Sequence, residues 1–351
     1  MKTIKPQTNT IFRGDNLAIM RAMPDACVDL IYIDPPFFTQ RDYKNIWGDK
    51  ESVLDYKDIR KNGFSDKSDF FERHLNSGAK GLDAYLEWMR FRLRELHRLL
   101  RPNGALYCHL DHHAIHYIKV MMDDIFGYKN FLNDISWRRA KVKGAKAISR
   151  QFARNHDSIL VYAKEIGKHY FERQYEPFDE EYIKRYFRHD DGDGRGLYQD
   201  VTVGDYSAES LAKLRKDNRL YKTRNGKERV KYYLKEQPGK VLDDVWTDIP
   251  EVNGMSEEKT GWPTQKPVAL LERIIASSSK AGDIVFDCFA GCGTSMHAAH
   301  NLKRKWMGID ISPTAVKVNA TRLEGLGAKV NIVDEKELKE KYGIDARLKV
   351  A

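Results

Sequence analysis

The 351-residue chain reads as an α/β protein built on a mostly parallel central sheet, with an inserted segment of different character. Three observations predict this. Short apolar, β-branched runs alternate with helices of 3.6-residue periodicity towards both ends of the chain. Several runs stop at an acid next to glycine or proline, as strands do when they deliver a side chain to the crevice at their carboxyl ends. Between residues 165 and 260 the alternation fades, and charged and aromatic residues replace it. The chain is thereby divided into 1–164, 165–260 and 261–351.

The first strand, around Ile11-Phe12, ends at Gly14-Asp15. A short helix over residues 16–24 follows, with Leu17 and Met20 on one face, and Asp25-Ala26 turns the chain into VDLIYIDPPFF, residues 28–38. Strand, helix and parallel strand form the unit from which parallel sheets are built, so Asp15 and Asp34 should face one crevice. Each of Pro35 and Pro36 fixes its φ and lacks an N–H, and Asp34 is held extended by the proline after it. The product is a stiff shelf of one carboxylate, carbonyls without local donors, and the aromatic face of Phe37. A planar ring with an exocyclic NH2, adenine or cytosine, fits such a shelf. The plainer alternative is a strand end closed by a proline-rigid turn.

From Thr39 to Lys80 a polar, aromatic-rich stretch follows, longer than most connections and best read as a mobile lid or substrate loop. Residues 83–100 form an amphipathic helix through Leu86, Met89, Leu93, Leu96 and Leu100, stopped by Arg101-Pro102-Asn103-Gly104. The strand GALYCHLD, a helix from His112 to Phe126, and strands ending at FLNDISWRR and spanning HDSILVYAK continue the alternation. Residues 137–154 carry seven Lys/Arg and no acid. Lying after a strand whose end should reach the ligand face, Arg138, Arg139, Lys141 and Lys143 are candidate phosphate contacts. Residues 211–240 hold eleven Lys/Arg against three acids, with Tyr221, Tyr232 and Tyr233 between them, as expected of a substrate-reading insert. The DDGDG turn at 190–194 lacks the ordered oxygens and closing glutamate of a calcium loop.

A second motif lies downstream. GWPTQKP leads into a helix through Leu270, Leu271, Ile274 and Ile275. The buried strand 283–286 then opens into DCFAGCGTS, residues 287–295, a glycine turn feeding a helix. A dinucleotide fingerprint would need a third glycine where Met296 stands. Asp310, ending the next strand some twenty residues on, suits ribose hydroxyls. The turn therefore asks for a nucleoside and does not demand a diphosphate. No metal site is expected. Cys288, Cys292, His297 and His300 are too compressed for a finger or ribbon, and His109, His112, His113 and His116 lack an H-E-x-x-H frame.

With 60 Lys+Arg against 51 Asp+Glu, the net charge of +9 favours a polyanionic partner. Four cysteines show no paired framework, and neither a leader nor a span-length apolar run is evident, so a cytoplasmic protein without a membrane partner is expected.

DPPF early, TQKP and FAGCG late, and a basic variable segment between them resemble the β group of S-adenosylmethionine-dependent DNA amino-methyltransferases over nearly the whole chain. The resemblance implies a Rossmann-like S-adenosylmethionine methyltransferase fold with circularly permuted motif order and an inserted target-recognition segment. It implies that Asp34, Pro35, Pro36 and Phe37 hold a flipped base, and that Asp287, Phe289, Gly291, Gly293 and Asp310 hold the cofactor, S-adenosylmethionine. It carries Thr264, Gln265 and Lys266 to the methionine moiety and Asp15 to the cofactor adenine, with Asp334 as a competitor. Two departures stand out: Cys288 and Cys292 replace the proline and serine usual in the glycine turn, and Phe37 replaces the commoner tyrosine. DPP favours adenine N6 as the target and SPP cytosine N4, so the implied enzyme is a site-specific, adenine-specific DNA methyltransferase of a bacterial or archaeal restriction-modification type. Its implied partner is duplex DNA; a homodimer and a cognate restriction endonuclease stay open. The rivals are cytosine-N4 transfer, methylation of RNA or protein glutamine, a nicotinamide oxidoreductase and a non-enzymatic DNA-binding subunit.

Overall fold

The computed structural model describes residues 3–4, 7–39, 77–139 and 150–346. The expected lid apart from residues 39 and 77–80, and Lys141 and Lys143, lie outside them. In chain order the elements are β1 (Thr10–Arg13), α1 (Asn16–Arg21), β2 (Val28–Ile33), α2 (Gly81–Leu99), β3 (Leu100–Leu110), α3 (Ile115–Phe126), β4 (Phe131–Arg138) and β5 (His156–Ala163). There follow β6 (Tyr175–Glu176), α4 (Glu180–Tyr186), β7 (Tyr198–Thr202), α5 (Ala208–Lys216), β8 (Leu220–Lys222), β9 (Glu228–Tyr233) and β10 (Lys240–Val241). The chain continues with β11 (Val245–Trp246), α6 (Val268–Ser278), β12 (Ile284–Asp287), α7 (Thr294–Asn301), β13 (Lys305–Asp310), α8 (Pro313–Gly325) and β14 (Asn331–Val333).

Nine strands form one sheet in the order β11-β4-β5-β3-β2-β12-β13-β1-β14. Among the described residues, only β5 runs antiparallel to its neighbours in this sheet, β3 and β4; all its other pairings are parallel. Strands from the last quarter of the chain, β12 and β13, thus sit between β2 and β1. This is the permuted arrangement that the motif order implies.

Every residue of β2 is buried, as its unbroken apolar run predicts for a strand covered on both faces. Its one charged residue, Asp29, is matched: Arg101 approaches both carboxylate oxygens at 2.6 Å and the Ile284 N–H donates to one at 2.9 Å. The carboxylate therefore also ties β2 to β12. Gly104 lies so near this strand that a Cβ there would stand 2.5 Å from the Asp29 carbonyl oxygen. In α1 the core face is Ile19 and Met20, with Leu17 half-buried. Helix α2 begins two residues before its periodicity does. It buries Tyr85, Trp88, Met89, Leu93, Leu96 and Leu99. The RPNG stop does not separate helix from strand, because β3 starts at Leu100. The chain bulges between the pairs Val28↔Leu100 and Leu30↔Ala105. Helix α3 starts at Ile115 and not at His112, since the Asp111 carboxylate accepts the His113 N–H at 2.9 Å and holds a turn there.

The described residues separate into two compact units, residues 1–172 with 244–351, and Arg173–Asp243. The second unit is narrower than the 165–260 read from composition. The flanks belong to the first unit by backbone pairing: Glu172 N–H to the Ser277 carbonyl, Glu251 N–H to the Arg139 carbonyl, and β11 on β4. Within itself the second unit has an antiparallel sheet β7-β9-β8 and a β6-β10 pair. Asp191 of the DDGDG turn accepts from Lys231 at 2.6 Å and from the Tyr233 hydroxyl at 3.0 Å. Asp193 pairs with Arg195 at 2.6 Å. These acids brace the turn.

Candidate active site at the carboxyl edge of the sheet

Because β1, β2, β12 and β13 run parallel, Asp15, Asp34, Asp287 and Asp310 all emerge at one edge. Four carboxylates drawn together by topology need local partners, and each has a different set.

At the tetrad, Lys266 donates to Asp34 Oδ2 at 2.5 Å. Asp34 Oδ1 is buried and meets no hydrogen-bond partner among the described residues. Pro35 is buried, while Pro36 and Phe37 are half-buried. Lys266, only 7% exposed, holds its Nζ 5.0 Å from the centroid of the Phe37 ring. The TQKP segment is thereby joined to the DPPF turn across 232 residues of sequence. Among the described residues, one carboxylate oxygen beyond the reach of Lys266 is left to receive a donor.

At the glycine turn the backbone does the building. Gly291 (φ +48°) donates its N–H to Asp310 Oδ2 at 2.8 Å, and Ser312 N–H donates to Oδ1 at 2.8 Å. Gly293 has φ +78°, and a Cβ there would stand 2.1 Å from Asn319 Oδ1. Met296 resolves the missing third glycine: it packs against β13, where a Cβ on Gly308 would meet its sulfur at 2.4 Å. The close helix-to-strand approach is thus permitted by a glycine on the strand. Asp287 accepts from Ser295 Oγ at 2.5 Å and from Phe289 N–H at 2.9 Å. Burial pushes its pKa up to about 7 despite those bonds, with the Asp34 and Asp310 charges adding to the effect. Burial likewise raises Asp310 to about 6 against its backbone donors. Cys288 and Cys292 are buried free thiols raised by burial. His297 accepts from Arg322 at 2.9 Å, a cation where a metal would have to sit.

The other candidates are distributed as follows. Asp15 caps α1 through Leu17 N–H at 3.3 Å and pairs with buried Arg92 at 2.9 Å. Asp334 caps the turn after β14 by accepting from Glu337 N–H. Thr264 is exposed at φ +60°, an outlier for a β-branched residue. Gln265 turns inward to its own loop, bonding Thr260 and the Glu258 carbonyl. Glu258 in turn accepts Val268 N–H at the start of α6. Arg138 reaches the Thr247 carbonyl at 3.1 Å, and Arg139 lies 3.2 Å from Asp157, so part of its charge is used within the unit. Among the described residues, the group with metal-ligand proximity is Asp111, His112 and His113. Arg154 approaches His112 Nε2 there at 3.0 Å.

Two networks were not singled out in the sequence. Arg92 links Asp15, Asn16 Oδ1 (2.7 Å) and the Trp88 carbonyl, while Asn16 Nδ2 donates to the Cys288 carbonyl at 2.9 Å, fastening α1 to the glycine turn. His109, wholly buried, contacts Asp157, Tyr32 and Phe37. An arginine in the apolar face of α2 signals the first; nothing in the local pattern of β3 signals the second.

A family model described as DNA methylase matches residues 28–321. The chain is 30% identical over 331 residues to the type II methyltransferase M.EcaI of Enterobacter cloacae, covering 88% of this chain and 67% of that one. It is 26% identical over 324 residues to the DNA adenine methyltransferase YhdJ of Escherichia coli strain K12, covering 91% and 83%. The cytosine-N4-specific PvuII DNA methyltransferase shares the fold with a TM-score of 0.51 at 16% identity, over 92% of this chain and 88% of that one. So does the putative DNA modification methylase TTHA0409 of Thermus thermophilus, solved with S-adenosyl-L-methionine, with a TM-score of 0.50 at 18% identity, over 93% and 98%. The sheet is therefore that of a Rossmann-like methyltransferase, and the chain belongs to the DNA methylases of the N6/N4 amino type, a family that draws its methyl group from S-adenosylmethionine.

Proposed function

We propose that this chain methylates the exocyclic N6 of adenine in duplex DNA, after the base has been swung out of the stack. The observation that carries the reading is the divided state of Asp34: one oxygen is held by Lys266, and the other is buried and meets no partner among the described residues. A buried carboxylate oxygen left unpaired is destabilising, and an amino group entering there would satisfy it. The glycine turn fits the nucleoside of the cofactor. A side chain at Gly293 would clash with Asn319, so backbone stays open to close approach, and Asp310 offers acceptor lone pairs to ribose hydroxyls. Bound there, S-adenosylmethionine supplies an electrophilic methyl group on a sulfonium.

The chain's own residues do the rest. The exocyclic amine is a weak nucleophile because its lone pair is delocalised into the ring. Accepting its hydrogens at Asp34 Oδ1 and the Pro35 carbonyl would favour tetrahedral character at nitrogen, and the carboxylate would stabilise the positive charge that grows as nitrogen attacks the methyl carbon; the carbon–sulfur bond breaks to leave a neutral thioether, and the surplus N–H proton leaves by way of the Asp34 acceptor to solvent. Phe37 supplies a stacking face for the extruded base. Lys266 keeps Asp34 in place and, with Thr264, borders the methionine end. Gln265 acts through its loop. Arg138, with Lys141 and Lys143, contacts phosphates, and the unit Arg173–Asp243 reads the sequence. A type II relative suggests a restriction-modification setting, in which a nuclease of matching specificity would be the partner.

The adenine reading is supported by the DPP form of the tetrad and by the adenine relative; the PvuII neighbour keeps cytosine N4 as the second reading. Tritiated methyl transfer to duplex DNA, followed by hydrolysis and separation of nucleosides, tests it. Label in N6-methyladenine is expected. Label in N4-methylcytosine replaces it with the second reading, and no transfer to any duplex overturns both.

A further inference from the structure

The Phe37 ring of the tetrad stacks on an imidazole. His109, near the end of β3, is fully buried and stacks on Phe37 with ring planes 21° apart and centroids 6.0 Å apart. Trp137 meets it edge-on at 5.5 Å. Its Nε2 lies 3.1 Å from Asp157 Oδ2 and its Nδ1 3.0 Å from the Tyr32 hydroxyl. Neither network nor stack belongs to the motifs that identify the family's sites in this sequence.

We propose that His109 is a positioning residue whose ring face sets the plane of Phe37, and through it the plane in which the flipped base is stacked. The inference rests on the amino-methyltransferase reading. A half-buried phenylalanine on a proline-stiffened turn still has a ring free to turn about χ2. A flat, immobile neighbour removes that freedom. Burial and the Trp137 edge hold the plane of the ring, and the hydrogen bonds fix which of its edges faces which partner. Asp157 accepts only, so Nε2 carries the hydrogen, and Nδ1 then accepts from the Tyr32 hydroxyl; both in-plane edges of the imidazole are pinned. Burial, with the Lys266 charge next, lowers the pKa of His109 and keeps the ring neutral. A neutral ring places no second cation beside Lys266 and Phe37.

The alternative, that His109 merely satisfies buried polar groups, makes the opposite ranking of variants. His109→Phe keeps the face and loses both hydrogen bonds; His109→Gln keeps a polar partner for Asp157 and loses the face. Base capture is read from the fluorescence of duplexes carrying 2-aminopurine at the target position and from the KM for DNA, with cofactor affinity and melting temperature measured alongside. With a positioning role, His109→Phe retains capture although it melts earlier, whereas His109→Gln weakens capture by roughly two- to tenfold, the range of an aromatic pair. Cofactor affinity stays within about twofold in both. In a Phe37→Ala background the His109→Gln loss disappears. Equal losses in both backgrounds, or capture retained by Gln and lost by Phe, overturn the proposal. If His109→Phe does not fold, Tyr32→Phe replaces it: capture within about twofold is expected, and a tenfold loss is contrary. Wild-type protein that methylates no duplex fails the reading beneath, and is told apart by that fact alone.

Discussion

The two turns that face each other across β2 and β12 solve different problems with opposite means. The DPPF turn is built of side chains, with Asp34 on Lys266 and Phe37 on His109, and its two prolines offer no backbone N–H. The glycine turn works through backbone: Gly291 and Gly293 bring main chain forward, and its acids are occupied by N–H groups and Ser295. On the proposed function, the first turn needs a group open to its guest and the second needs shape to hold the cofactor. The difference predicts which substitutions separate catalysis from binding.

The largest effect should come from Asp34→Ala. Methyl transfer is expected to fall by about two to three powers of ten or more, since the charged acceptor is lost in a dry site. Cofactor affinity, measured by calorimetry, should change little. Parallel loss of both would erase the distinction between the turns. Gly293→Ala should do the reverse. With φ +78° and Asn319 Oδ1 2.1 Å from the new Cβ, the backbone strain alone costs about 1–3 kcal/mol. Melting temperature and cofactor affinity should fall together, and an alanine variant that binds normally would refute the backbone account.

Titration sharpens the comparison further. Asp287 is raised to about 7 and Asp310 to about 6, so between the ordinary carboxylate range and those values the folded chain holds protons that the unfolded chain releases. Stability of the cofactor-free protein should therefore be greatest at the acidic side of this window and decline as pH rises towards 7, by up to about 1.4 kcal/mol per pH unit for each group. Asp287→Asn should flatten the part of that decline nearest pH 7, as read from denaturant melts at pH 5, 6 and 7. An unchanged slope would show that Asp287 is ionised throughout. Smallest of all, Phe37→Trp should retain transfer within several-fold, because stacking needs a face and no hydroxyl; activity assays on the matched duplex check this.

Much of this arrangement was legible beforehand because it is local. The β2 run, the prolines after Asp34 and the glycines after Asp287 each dictate geometry within a few residues. The bond from Lys266 to Asp34 was not legible, since it depends on a strand order that places residue 266 beside residue 34. His109 was hidden for a related reason: on a strand covered on both faces, a histidine leaves no break in periodicity, and its partners come from β2 and β5. The start of α3 was misplaced by one Asx turn at Asp111, and the edges of the insert by flanks that pair with the main sheet while sharing the insert's composition.

The permuted strand order also has a consequence for how the molecule is made. β1 is bordered only by β13 and β14, and β2 is flanked by β3 on one side and β12 on the other. While the ribosome is still short of residue 284, Thr10 has no partner, for its register mates are Met307 and Asn331. The nascent chain must carry β1 and one side of β2 as open strand edges until β12 and β13 have been synthesised. Such edges invite pairing with other chains, and contacts this distant in sequence form slowly. Emergence of β12 and β13, long after the DPPF turn has left the ribosome, is the moment at which the two turns can be set side by side.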